Sequence, residues 1–230
     1  MSDAIIRMKN IDKSFGSLKI LRNLSLDIHK NQMTVIYGPS GCGKSTLLNL
    51  IGLLDTADKG DLYMFDKQVP KPFSKQAQKL LSESIGYLFQ NFALIEHKSV
   101  EYNLALAIPK SKAEFRASTI SKALEDVGLK GFENKKVFQC SGGEQQRIAI
   151  ARLLIKPCAL VLCDEPTGSL DDDNKQAVME LLDKLKQKGK TLIIVSHDKD
   201  MIARADRSIN LLEINQTTTQ NHSSIISVKS

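Results

Sequence analysis

The pattern G-x-x-x-x-G-K-[ST] occurs as Gly38-Pro39-Ser40-Gly41-Cys42-Gly43-Lys44-Ser45, followed by Thr46. The apolar segment Met33–Tyr37 precedes it and predicts a short buried strand, and residues 46–51 have the spacing of a helix. This context makes the match specific, because loop N–H groups and a helix N-terminus then point at one anion. The sequence therefore predicts a nucleoside triphosphate site, in which Lys44 contacts the β- and γ-phosphates and the Ser45 hydroxyl binds Mg²⁺.

The composition is that of a soluble globular protein. The 230 residues are 42% hydrophobic and 25% charged, with a net charge of +6. No apolar run approaches the ~20 residues that span a bilayer, and the N-terminus has no signal-peptide core, so we expect a cytosolic chain.

Lysines are dispersed without the aromatic alternation that stacks bases, so nucleic acid is not an expected partner. Solvated surface lysine is favoured over a patch for anionic lipid. The four cysteines lack the spacing of a zinc site, and a disulfide framework is not expected in this compartment.

The order of periodic segments indicates an α/β fold with an insertion. Residues 4–9 and 18–28 alternate as a half-exposed antiparallel sheet does. Residues 99–127 have helical periodicity with a break at Pro109, and no strand pattern appears from residue 92 to about residue 155. The remaining predictions are strands at 60–65, 85–89, 159–163, 191–195 and 207–212, helices at 76–83, 172–188 and 199–203, and a loop at 67–73. We therefore predict a P-loop core with a mostly parallel sheet, an N-terminal antiparallel β subdomain and an all-α subdomain at about 92–155. One domain would span residues 1–212, and residues 213–230 form a polar tail that we expect to be flexible.

A second acidic element follows the insertion. The apolar run Ala159–Cys163 leads into Asp164-Glu165. Two carboxylates after a buried strand suit a Walker B element, in which the first acid holds Mg²⁺ and the second polarises the attacking water. The alternative is a strand end with solvated acids.

A third motif, Cys140-Ser141-Gly142-Gly143-Glu144, stands before a predicted helix and forms a second anion site. With this motif the chain resembles the ATP-binding-cassette (ABC) family, whose signature is usually Leu-Ser-Gly-Gly-Gln. The resemblance covers about residues 5–212. Cys140 departs from the usual leucine, and Glu144 places a negative charge near an incoming triphosphate, which predicts weaker affinity at that face.

The resemblance assigns further roles, residue by residue. Gln90 resembles the Q-loop glutamine, which senses Mg²⁺ together with Ser45 and Asp164. Asp171 resembles the D-loop aspartate, and His197 the switch histidine that contacts the γ-phosphate. Phe15 resembles the aromatic ring that stacks on adenine, with a core phenylalanine as the alternative.

In that family the active site is composite. The resemblance implies a homodimer in which each ATP lies between one P-loop, Gly38 to Thr46, and the other chain's signature, Ser141 to Glu144. Glu165 would be the catalytic base, assisted by His197 and Lys44, and the enzyme would be an ATPase that needs ATP and Mg²⁺.

The segment Gly52-Leu53-Leu54-Asp55 and the short chain resemble the MacB/lipoprotein-release group of exporters, whose substrates include peptides and bacteriocins. This implies a separate transmembrane permease and a position at the inner face of the cell membrane. The alternative is an ATPase like the cell-division protein FtsE, which drives a mechanical membrane complex without transport. The sequence does not give the transported substrate.

Overall fold

A computed structural model describes residues 3–168 and 170–215, except for the side chains of Lys110 and Lys112. In chain order the strands are β1 (Ala4–Phe15), β2 (Leu18–His29), β3 (Met33–Tyr37), β4 (Lys59–Met64), β5 (Lys67–Gln68), β6 (Ile85–Leu88), β7 (Leu160–Asp164), β8 (Thr191–Val195) and β9 (Arg207–Asn210). The helices are α1 (Lys44–Ile51), α2 (Lys75–Glu83), α3 (Val100–Ala105), α4 (Arg116–Asp126), α5 (Gly142–Ile155), α6 (Asp172–Gln187) and α7 (Lys199–Arg204). The mixed α/β fold, with a parallel sheet and an antiparallel β subdomain, confirms the predicted fold class.

The chain divides into two compact units, residues 1–81 with 193–230 and residues 82–192. The first unit contains the antiparallel sheet, in the order β2-β1-β4-β5. In the same unit β3 pairs in parallel with β9, with Val35 opposite Ser208. The strand β3 is buried along its first four residues, as its continuous apolar sequence predicts.

The second unit is built on β6 and β7, which pair in parallel with Gly86 opposite Val161. Its helix α5 buries an apolar face that includes Ile148, Ala149 and Leu153. Gly86 lies against this helix, because a Cβ there would stand 2.6 Å from the Leu153 side chain. Between β6 and β7 the described strand pairing is limited to an isolated bridge of Ser99 with Lys136. The boundaries predicted for the helical subdomain stay a prediction.

Two predicted segments contain a different element in the structure, and the first strand, predicted at residues 4–9, extends to Phe15. The segment predicted as a loop at 67–73 begins with β5, which is exposed and pairs with β4 through Met64 and Lys67. The strand predicted at 207–212 ends at Asn210, and residues 211–215 are helical. Of the predicted C-terminal tail, residues 216–230 lie outside the described residues.

Candidate functional site

The predicted phosphate-binding loop lies in the first unit, between the end of β3 and the start of α1. Gly38, Gly41 and Gly43 have φ of 150°, 80° and 102°, which favour glycine. Gly43 is the N-cap of α1 and supplies no side-chain hydrogen bond, so the first N–H groups of this helix are left to an external acceptor. A Cβ on Gly43 would stand 2.7 Å from Ile20 Cγ2. The loop therefore needs glycine at this position and presents the backbone cradle that a triphosphate requires.

Lys44 folds back over its own loop. Its Nζ donates to the carbonyl oxygen of Gly38 at 2.9 Å and to that of Pro39 at 3.0 Å. The two carbonyl oxygens thus provide hydrogen-bond acceptors for the Lys44 ammonium. In a complex with a nucleotide, phosphate oxygens would take this role. Ser45 is exposed beside it and Thr46 is half-buried, so the hydroxyl predicted to hold Mg²⁺ is accessible.

Phe15, at the end of β1, is 53% exposed, which rules out the alternative of a core phenylalanine. Its ring centroid lies 5.1 Å from Lys13 Nζ. Lys13 is buried and held by Asp55 Oδ1 at 2.7 Å and the Thr56 carbonyl at 2.8 Å. The ring is therefore exposed at the surface, and a cation–π contact with the fixed Lys13 ammonium stabilises its position.

His197 belongs to the first unit as well. It follows β8 after the buried Ser196 and is exposed. Asp198, the next residue, caps α7 by accepting a hydrogen bond from Asp200 N at 2.9 Å. The cap fixes the backbone directly after the histidine.

The two acids predicted as a Walker B element lie in the second unit, at the end of β7. Asp164 is half-buried after four fully buried residues. Burial, reinforced by the charge of Asp164, raises the pKa of the Tyr87 hydroxyl and of the Cys163 thiol well above their ordinary values. Glu165 follows with a φ of 45°, in the left-handed region. A side chain in this region carries a backbone strain that glycine would not, and the same holds for nine other non-glycine residues among those described.

The signature begins the helix α5. Ser141 is its N-cap, and the Ser141 hydroxyl oxygen accepts from Glu144 N at 3.3 Å. In return the Glu144 carboxylate accepts from Ser141 N at 2.7 Å. This is a capping box, and the S-x-x-E pattern at 141–144 is the sequence signal that would have predicted it. The Ser141 oxygen is used as an acceptor, which leaves its hydroxyl hydrogen able to donate to an anion.

Lys135 was not identified from the sequence. Its Nζ lies 3.2 Å from Glu144 Oε2 and 3.5 Å from Oε1. Burial alone would raise the pKa of Glu144, but the Ser141 N–H and the Lys135 ammonium outweigh it and hold that pKa below its usual range. The negative charge that the sequence placed at the signature is therefore paired.

Asn174 joins the signature to the start of α6. A Cβ on Gly143 would stand 2.6 Å from Asn174 Oδ1, so the second signature glycine is a close approach. Asn174 Oδ1 accepts from Arg147 Nη1 at 2.6 Å, and Asn174 N donates to Asp171 Oδ1 at 2.8 Å. The backbone and side-chain N–H groups of Asn174 lower the pKa of Asp171. Asp171, the predicted D-loop aspartate, is thus the N-cap of α6; Ser169 lies outside the described residues.

The predicted residues therefore fall into two sets, each described within its own unit. The first unit holds Phe15, His197 and the loop from Gly38 to Thr46. The second unit holds Gln90, which is exposed two residues after β6, together with the acids, the signature and Asp171. Within residues 3–168 and 170–215 no group of three His, Cys, Asp or Glu side chains suits a metal ion. The predicted metal ligands Ser45, Gln90 and Asp164 offer hydroxyl, amide and carboxylate oxygens, which are the donors that Mg²⁺ prefers.

Comparison with known proteins agrees with this geometry. The sequence model of the family described as "ABC transporter" matches residues 21–168. The chain belongs to the ABC transporter family. It is an ATP-binding cassette, and the resemblance based on the P-loop and the signature is confirmed.

The curated relatives include proteins named LolD and MacB. The lipoprotein-releasing system ATP-binding protein LolD of Bacteroides fragilis is 36% identical over 217 residues, which cover 92% of this chain and 99% of that protein. The macrolide export ATP-binding/permease protein MacB of Mannheimia succiniciproducens is 38% identical over 90% of this chain. The chain spans 33% of the length of that MacB.

Solved structures support the same fold. One is the dimeric structure of MJ0796, a bacterial ABC transporter cassette; it is 34% identical with a TM-score of 0.80, covering 90% of this chain and 95% of that one. A post-hydrolysis dimer of MJ0796 bound to ADP and Pi is 32% identical with a TM-score of 0.79 and the same coverage. Among the described residues, no helix is long and apolar enough to cross a membrane.

Proposed function

We propose that the chain is the ATP-hydrolysing subunit of a membrane transporter of the MacB/LolD type and works as a nucleotide-sandwich dimer. The observation that carries the proposal is the occurrence of two anion-binding helix starts on one chain. Gly43 caps α1 without a side-chain hydrogen bond. Ser141 caps α5 by accepting the Glu144 N–H, and its hydroxyl hydrogen could still donate to an anion at this helix start. Two chains arranged head to tail would place each triphosphate between one P-loop and the other chain's signature.

The P-loop residues bind and orient the substrate ATP. Lys44 would exchange the carbonyl oxygens of Gly38 and Pro39 for oxygens of the β- and γ-phosphates. Ser45, Gln90 and Asp164 would hold Mg²⁺, which when bound neutralises charge on the β- and γ-phosphates. Phe15, exposed and backed by Lys13, would stack on adenine.

Hydrolysis needs a group that orients and deprotonates water. We assign this role to Glu165, which directly follows the strand end at Asp164. His197 would contact the γ-phosphate of the same nucleotide. Cleavage would end the contacts that join the two chains, so that each cycle closes and opens the dimer.

The membrane part of the transporter is proposed to be a separate permease subunit. The match over 99% of the length of LolD supports this arrangement, since that relative is itself named as an ATP-binding protein of a release system. The ATPase would then lie at the cytoplasmic face of the membrane through its permease. We propose an exported peptide, bacteriocin or lipoprotein-like molecule as the substrate class; of the relatives, LolD is named for lipoprotein release and MacB for macrolide export.

The test is the variant Glu165→Gln, which keeps the shape of the site and removes the carboxylate. Hydrolysis should fall by at least ~10²-fold, the scale of losing a general base. ATP should then persist, and light scattering should report a dimer with ATP and a monomer with ADP.

Adding Ser141→Arg should abolish that dimer, because a bulky cation would block the second anion site. Glu180→Gln, a surface change on α6, is the matched control and should behave as the wild type. A Glu165→Gln protein that remains monomeric with ATP, both alone and with the co-purified permease, would contradict the composite site.

A further inference from the structure

The ion pair between Lys135 and Glu144 stands at the start of the signature helix. The Nζ to Oε2 distance is 3.2 Å, and the two side chains are 31% and 21% exposed. The same Oε2 accepts the Ser141 N–H at 2.7 Å. One carboxylate therefore serves both as the helix cap and as the partner of the lysine.

Lys135 is itself held in place. Its carbonyl oxygen accepts from Val100 N, in the first turn of α3, at 2.9 Å, and its N–H donates to the Phe132 carbonyl at 3.0 Å. Its Nζ lies 4.2 Å from the centroid of the Phe132 ring. The ammonium is thus positioned by backbone bonds and an aromatic face, not by the carboxylate alone.

The charge at this helix start matters because of what must bind there. The N-terminus of α5 attracts an anion, but the unpaired Glu144 carboxylate would repel a triphosphate. Glutamine at this position, as the family usually has, would carry no charge. A carboxylate with a fixed ammonium beside it is also neutral overall, and it caps the helix more strongly than an amide does.

We propose that Lys135 is a positioning residue of the signature, which holds the Glu144 carboxylate in the Ser141 cap and cancels its charge so that the partner chain's triphosphate can bind. The inference rests on the proposed nucleotide-sandwich function. It predicts that Lys135 and Glu144 act as a unit in nucleotide-driven dimer formation.

The experiment is a double-mutant cycle in the Glu165→Gln background, with the ATP concentration for half-maximal dimer formation measured by light scattering. Lys135→Met should raise that concentration about fivefold, which corresponds to the upper range for a partly exposed ion pair. Glu144→Gln added to Lys135→Met should restore it, because an uncharged glutamine needs no counter-ion. Lys135→Arg should also restore it.

A lysine of the same kind provides the control. Lys184 lies 2.9 Å from Asp126 with side-chain exposures of 37% and 19%, between α6 and α4. Lys184→Met removes the same charge from the same unit and should leave the ATP dependence unchanged. Raising the ionic strength should reduce the defect of Lys135→Met, because the repulsion is screened.

The outcomes separate the two claims. If the Glu165→Gln background forms no dimer with ATP, the proposed function fails. If it does form a dimer and Lys135→Met has no effect, the role of Lys135 fails alone. A defect in Lys135→Met that Glu144→Gln does not repair, or that Lys184→Met reproduces, would also overturn the positioning role. Thermal unfolding of each variant excludes loss of the fold as the cause.

Discussion

Gln146 donates a hydrogen bond from Nε2 to the carbonyl oxygen of Pro166 at 2.8 Å. Gln146 is 2% exposed on α5, four residues after Gly142, and Pro166 follows Glu165 directly. The signature helix and the segment after the two acids are thereby joined by one buried bond. A shift in either segment would be transmitted to the other, because the buried carbonyl has to remain satisfied.

The variant Gln146→Met tests this bond. It leaves the Pro166 carbonyl buried without that donor, which should lower the free energy of unfolding by about 1–3 kcal/mol. Urea unfolding followed by circular dichroism measures the change. The control is Gln176→Met, since the Gln176 amide bonds Glu180 at the exposed surface of α6. Equal stability of Gln146→Met and the wild type would show that the bond contributes nothing.

Lys44→Ala should abolish ATP binding and hydrolysis. The substitution removes the cation that compensates the β- and γ-phosphates, while the loop backbone keeps its glycines. Calorimetric titration with ATP measures binding, and phosphate release measures turnover. Lys67→Ala, at an exposed position on β5, should retain both. Wild-type turnover in Lys44→Ala would refute the role assigned to this lysine.

A bulky thiol reagent should inactivate the protein through Cys42. Cys42 is half-exposed within the phosphate-binding loop, whereas Cys140, Cys158 and Cys163 are buried. Burial raises the pKa of the Cys140 thiol, so the reactive thiolate is scarce there. ATP should protect against labelling, and Cys42→Ser should resist inactivation; mass spectrometry locates the modified residue. Inactivation that persists in Cys42→Ser would assign the effect to Cys140.

The backbone at position 165 allows a comparison of two variants that both lack the carboxylate. Glu165→Gly should be more stable than Glu165→Ala by about 1 kcal/mol, because glycine adopts a left-handed φ without the Cβ penalty. Neither variant should hydrolyse ATP. Thermal and urea unfolding of the pair measure the difference, and equal stability would mean that the backbone relaxes at this position.

Periodicity and motifs predicted most of the fold. The strand at Met33–Tyr37 and the strand at Thr191–Val195 have the predicted bounds, because both are short apolar runs between turn residues. The short strand β5 was missed since its two exposed residues have no apolar pattern and pair only through the backbone. The last strand ends at Asn210, and residues 211–215 are helical. Leu211 and Leu212 are compatible with a strand and with a helix, so the apolar pattern alone did not locate the boundary.

A candidate site residue was predictable where a motif fixes one residue type at one spacing, as with Lys44 and Glu165, whose roles stay predictions. Lys135 was not, because its ion pair depends on the path of the chain between α4 and α5. The close approach of Gly143 to Asn174 likewise joins residues that are distant in sequence. The left-handed φ of Glu165 could not be predicted, because neither composition nor periodicity reports a single backbone angle.

If the proposed ATPase activity holds, the conformation of Glu165 has a consequence for laboratory evolution of this protein. A library screened only for heat resistance rewards glycine at position 165, since the fold gains stability there while the carboxylate is lost. Survivors of such a screen would accumulate as well-folded proteins without turnover. A stabilisation campaign should therefore hold residue 165 constant or use phosphate release as a second filter at every round.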